Sequence, residues 1–178
     1  MVAKILAGIA ALVFFVIALG FVLPDKKHVE REIVVNAPPE RVYELVADFH
    51  NWRRWSPWEE RDPTMTSAIT GSGVGQTMEW VSEKDGAGSQ EIVRLEPPRK
   101  VETRLDFGHM GVARSTMRLE PVAEGTRVVW SFDSKMREGA PVWWQPLLTY
   151  MGFFIEHYVG RDYEEGLVRL KAAAEKGA

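Results

Sequence analysis

The chain has 178 residues, 46% of them apolar and 11% aromatic, enough for one cored domain plus an appendage, which excludes wholesale disorder. A formal net charge of −3, with acids and bases interspersed, gives no basic face for nucleic acid. Cysteine is absent, which removes disulfides, thiolate metal sites and thiol nucleophiles.

From Ile5 to Leu23 the sequence ILAGIAALVFFVIALGFVL carries no charge. A helix rising about 1.5 Å per residue would take this segment across most of a hydrocarbon core of roughly 30 Å. A cleaved signal peptide usually has a shorter apolar stretch, about 7 to 15 residues, and a buried core helix shows polar residues on one face. Length therefore favours a single-pass anchor over both. Ala18-Leu19-Gly20 is a poor cleavage site, and Pro24-Asp25-Lys26-Lys27 reads as a helix stop at an interface. Lys4 and the terminal amine nearly balance Lys26 and Lys27, so the positive-inside bias leans only slightly towards a cytoplasmic domain. Residues 1–27 are read as anchor and junction, and residues 28–178 as one water-facing domain.

His28 to Asn36 is rich in β-branched residues and reads as a strand, stopped by Ala37-Pro38-Pro39-Glu40. Pro38 and Pro39 suit a first helical turn, and Val42, Leu45, Val46 and Phe49 follow at helical spacing. His50 to Asp62 holds Trp52, Trp55 and Trp58, and Pro57 rules out one long regular helix. From Met65 the period becomes two, and turn signals at Gly71-Ser72-Gly73, Asp85-Gly86, Pro97-Pro98, Gly108 to Gly111 and Glu124-Gly125 mark about six strands in hairpin order. Val101/Thr103/Leu105/Phe107, Ala113/Ser115/Met117/Leu119 and Thr126/Val128/Trp130/Phe132 give the clearest inward faces. After Pro141 to Pro146, the residues Leu148, Met151, Ile155, Val159, Tyr163, Leu167, Leu170 and Ala174 predict one long amphipathic helix of about seven turns. Strand, helices, six strands and a long helix specify an α+β domain whose antiparallel sheet is covered by a helix.

The segments EREIVVNAPPERVYELVADFHNWRRWSPWEERDP, GVGQTMEW, GTRVVWSF and GRDYEEGLVRL resemble the SRPBCC or START-like superfamily, in its polyketide cyclase/dehydrase branch. The resemblance spans nearly everything after the anchor. It implies a helix-grip (START/Bet v 1-like) fold, a curved antiparallel sheet wrapped around the C-terminal helix with an apolar cavity between them. Lipid carriers, hormone receptors, cyclases and chaperone cofactors share that fold, so it implies little about chemistry.

Alternation directs Met78, Trp80, Phe107, Met117, Trp130, Met151 and Ile155 to the space between sheet and helix, and Trp55 stands with them as a candidate for the cavity wall. Core packing alone would look the same in the sequence. Trp52, Trp55 and Trp58 either roof the cavity or bury a loop, and ordinary aromatic behaviour favours burial. Trp143 and Trp144 have three open roles: packing at the start of the helix, which is favoured, a lip at the cavity mouth, or the bilayer interface.

Catalysis would need a titratable group in the cavity. Asp106 falls on a solvent face and His109 in a turn, which leaves His157, Tyr158 and Asp162 as weak candidates, with Tyr158 and Asp162 one helical turn apart. The histidines His28, His50, His109 and His157 lack metal-ligand spacing, so neither a metal nor a cofactor is expected. The leading expectation is a non-catalytic binding or carrier domain for a lipid, isoprenoid or polyketide-like compound. The alternatives are a cyclase/dehydratase and a protein-interaction module with a filled core.

Overall fold

The computed structural model describes residues 1–84 and 86–176, with Glu59 and Glu60 in backbone only; Asp85, part of one expected turn, lies outside them. An apolar helix α1 (Val2–Val22) leads into β1 (Lys26–Val35), α2 (Pro39–Val46), a 3-10 segment (Phe49–Arg54) and α3 (Trp58–Arg61). The strands β2 (Thr66–Thr70), β3 (Thr77–Ser82), β4 (Gly86–Glu96), β5 (Lys100–Asp106), β6 (Val112–Val122) and β7 (Gly125–Lys135) follow. Two further helices, α4 (Gln145–Met151) and α5 (Ile155–Glu175), complete the chain. The strand order β1-β7-β6-β5-β4-β3-β2, antiparallel throughout, makes one seven-stranded curved sheet. With α5 laid against it, this is the expected helix-grip fold.

Period-two patterning does the sorting. On β6 Ala113, Ser115, Met117 and Leu119 are buried, as are Thr126, Val128, Trp130 and Phe132 on β7. Ion pairs knit the outer face across strands, Arg118 to Glu30 at 2.7 Å and Arg127 to Glu32 at 2.5 Å. Val129, in register with Glu32 and Arg118, is buried among them. Such exposed pairs contribute little individually, about 0 to 1 kcal/mol, and serve mainly to fix register.

α5 comes close to the sheet at Gly166. A Cβ added there would lie 2.8 Å from the Trp130 ring, so the glycine of GRDYEEGLVRL is required by proximity. Tyr163, Leu167, Leu170 and Ala174 form the buried stripe beyond it.

Two expectations need correction. β1 starts at Lys26 rather than His28, pairing Lys26 with Lys135. The long C-terminal helix is not continuous. Over residues 153–155 the backbone bonds run to the third residue back (Phe153 N to Tyr150 O, Phe154 N to Met151 O), which ends α4 and re-aims the chain into α5. Gly152, a poor helix former, sits at this break, where a Cβ would press on Lys27 and Met136.

α1 is exposed along most of its length and touches the domain only near its C-terminal end. Gly20 lies against Pro146 and Tyr150, and Tyr150 donates its hydroxyl to the Val16 carbonyl at 2.5 Å. Arg137 ties the junction together, reaching Asp25 at 3.2 Å and donating to the Phe21 carbonyl.

Candidate ligand cavity

A cavity of about 230 Å³ lies between α5 and the inner face of the sheet. Trp52, Trp58, Met78, Trp80, Phe107 and Trp130 supply most of its wall, and Gln90, Ser115, Asp162 and Tyr163 bring the polar atoms. Aromatic geometry makes the wall stiff. Trp130 stacks on Tyr163 at 3.7 Å and 10°, and meets Trp55 and Trp58 edge-on at 5.5 and 6.0 Å. The tryptophans between α2 and β2 are also held by their indole N–H groups: Trp52 donates to the Val46 carbonyl at 3.2 Å, Trp55 to the Leu45 carbonyl at 3.0 Å and Trp58 to Asp162 at 3.1 Å.

Of the candidate wall residues, Met78, Trp80, Phe107 and Trp130 border the cavity, and Trp55, Met117, Met151 and Ile155 do not. Trp55 is 1% exposed and packs behind Trp52, their rings 4.8 Å apart. Met117 belongs to the solid core, in register with Val101 and Trp130. Met151 is carried to the surface by the break before α5, and Ile155 bridges the main core to a small cluster of Met136, Ala140 and Leu148. The tryptophan cluster both packs and lines, since Trp52 and Trp58 reach the cavity.

The catalytic candidates separate as well. His157 and Tyr158 point into solvent, Tyr158 being 66% exposed, their rings 5.4 Å apart. Asp162 is on the wall, but its oxygens accept from Trp58 and, at 2.6 Å, from Arg61. The phenol inside is that of Tyr163, one residue further on.

Sequence reasoning placed Ser115 on an inward face without seeing its role. Its oxygen accepts from Trp130 Nε1 at 2.7 Å and from the Tyr163 hydroxyl at 3.1 Å. Two hydroxyls and one indole carry three donor protons, and these two bonds use two of them, which leaves one hydroxyl proton for an acceptor in the cavity. Burial pushes the Tyr163 phenol well above its usual range, outweighing the opposing hydrogen bond with Ser115, so it stays a donor. Gln90, donating to Thr103 Oγ1 at 2.8 Å, is the other polar residue of the sheet that borders the cavity. A lone polar residue on an otherwise apolar strand face was the available signal for both.

Two further polar clusters fasten the two ends of β3. Asp62, 2% exposed, accepts from Ser82 Oγ at 2.5 Å and Thr64 Oγ1 at 2.6 Å, and these bonds hold its carboxyl well below the usual range. Buried Gln76 accepts from the Phe49 N–H at 2.9 Å and donates to Asp48 at 2.8 Å.

A curved antiparallel sheet gripping a helix over an apolar cavity defines the helix-grip class of domain. Within that class, the chain belongs to the family described as polyketide cyclase / dehydrase and lipid transport, which matches residues 26–175. A relative named "Putative polyketide cyclase" from Streptomyces cyaneus is 28% identical over 124 residues, covering 65% of this chain and 77% of that protein. Among solved structures, Ara h 8.0201 aligns with a TM-score of 0.62 at 11% identity, over 85% of this chain and 99% of its own. Protein SA2116 of Staphylococcus aureus gives 0.62 at 14% identity, over 88% and 98%. The di-domain ARO/CYC StfQ of the steffimycin biosynthetic pathway gives 0.61 at 16% identity, over 85% of this chain and 51% of that one. At such identities these structures establish the fold.

Proposed function

We propose that the domain binds one apolar small molecule in the cavity under α5 and holds or carries it at a membrane. The observation that carries this reading is an apolar, aromatic-walled space with one uncommitted hydroxyl proton at the Ser115–Tyr163 pair. An engineered protein cavity of about 150 Å³ takes up benzene, and pockets for drug-sized ligands begin at about 300 Å³. At about 230 Å³, the space suits a compact ring system or short branched chain, polyketide-like or isoprenoid, carrying one carbonyl or ether acceptor. Met65 and Met78 on the wall can adjust to differing shapes.

Binding without turnover is favoured because Asp162 spends its oxygens on Trp58 and Arg61, and burial keeps Tyr163 protonated. A second reading, a cyclase or dehydratase, draws on the name of the Streptomyces relative and on the presence of Asp162 and Tyr163 on one wall. It requires Asp162→Asn to abolish turnover of a polyketide substrate without unfolding the domain.

α1 is long and apolar enough to span a bilayer, and its exposure supports an anchor. Tethering raises the local concentration of the domain beside lipid-dissolved ligands. Lys26, Lys27 and Arg31 follow α1 and Lys4 stands near its start, a bias that supports a cytoplasmic domain.

The test is titration of the full chain in detergent with an environment-sensitive naphthalene probe, against Val159→Phe, which adds a ring to the α5 wall. Saturable binding by the parent, lost in the folded variant, is expected. Equal binding by both would remove the cavity from the account.

A further inference from the structure

Trp143, Leu147, Met151, Phe154 and Tyr158 follow one another at intervals of three or four residues through α4, the break and the start of α5, and all are exposed. Trp143 is 74% exposed and Phe154 63%. Phe153, 58% exposed, lies beside them under Lys27 Nζ at 4.6 Å. Water-facing surfaces seldom carry so continuous an apolar run.

What covers this face follows from its attachment to α1. Pro146 and Tyr150 of α4 pack against Gly20, and Tyr150 bonds to Val16, six residues before the end of α1. At about 1.5 Å per residue, that contact lies roughly 9 Å back from the end of the helix. Interfacial helices sit about 5 to 10 Å into the boundary between headgroups and acyl chains. If α1 spans a bilayer, α4 is drawn to that depth. The segments flanking α4 carry the exposed Trp143, Phe153 and Phe154, aromatic residues typical of such a layer. The groove that shares Lys27 with this face is lined by Lys26, Lys27, Arg104, Arg114 and Lys135 against Asp133 and Glu138, and Lys135 is paired with Glu138 at 3.3 Å, which leaves the groove a net positive charge towards lipid phosphates.

We propose that this stripe is a membrane-contacting face that seats the domain in the bilayer interface beside its own anchor. The proposal rests on α1 being membrane-spanning. Its consequence is that Val159, the first of the α5 residues that border the cavity, directly follows the last residue of the stripe, Tyr158, which sets the cavity end of α5 close to the lipid from which an apolar ligand would come.

The cysteine-free chain allows single nitroxide labels on the full-length protein in vesicles of phosphatidylcholine and phosphatidylglycerol. Labels at Ile9→Cys, Leu147→Cys, Phe154→Cys and, as an aqueous reference, Val81→Cys are compared by collision with oxygen and with a water-soluble nickel chelate. The expected result is a severalfold preference for oxygen at positions 147 and 154 relative to 81, with position 9 deeper still. Positions 147 and 154 matching 81 while position 9 reports lipid would overturn the proposal and leave the anchor standing. An aqueous signal at position 9 would overturn both.

Discussion

The two ends of the space between the sheet and α5 are built from the same alternation and finish differently. At one end Leu167, Leu170 and Ala174 of α5 and Val42, Leu45 and Val46 of α2 join Leu119 and Val128 of the sheet in a solid core, none more than 2% exposed. At the other, Val159 and Asp162 look across the cavity to Met78, Trp80, Leu105 and Phe107. α2, which packs on β6, β7 and α5, makes the difference. The filled end is held by apolar contact, and the open end by aromatic edges and by polar fasteners such as Asp62 with Ser82 and Thr64.

If that division is right, substitutions should have unequal consequences. Leu170→Ala, at a position that is fully buried in the filled end, should cost about 2 to 5 kcal/mol in urea denaturation, with probe binding unchanged in the fraction that stays folded. Asp62→Asn should lower the melting temperature at neutral pH. Because the folded carboxyl is held below its ordinary value of about 4, its stabilisation is present above that pH and is lost as pH falls through the lowered value. The difference between parent and variant should therefore shrink on acidification below about pH 4; a constant difference would mean that the charge is not what fastens the corner.

Ser115→Ala leaves the Trp130 indole and the Tyr163 phenol without their buried acceptor, and should cost about 1 to 3 kcal/mol while weakening ligands that carry an acceptor more than hydrocarbons. Leu105→Ala should cost least, less than about 2 kcal/mol, because its neighbours already border empty space. It should also admit a larger probe than the parent does, measured by the same titration.

The inward faces were legible because side-chain direction in a strand is local: Ala113, Ser115, Met117 and Leu119 follow from period two alone. Which of them would border a void was not legible, since Met117 and Ser115 share a face and differ only in what other elements bring over them. The break before α5 was hidden for a related reason. Leu148, Met151 and Ile155 keep helical spacing through it, and the lone Gly152 does not by itself reveal the close approach of Lys27 and Met136 that accompanies the turn of the backbone. Tyr158 looked like the candidate phenol because it pairs in sequence with Asp162, yet tertiary packing gave that carboxylate to Trp58 and Arg61.

The central claim, that the space under α5 is a ligand site, is tested most directly by native mass spectrometry of the full chain released gently from detergent, with folded and denatured masses compared. The account predicts a reproducible extra mass of one small apolar compound that is lost on denaturation and absent from Val159→Phe. A parent that carries no extra mass, and takes none up when exposed to a membrane extract, would contradict it.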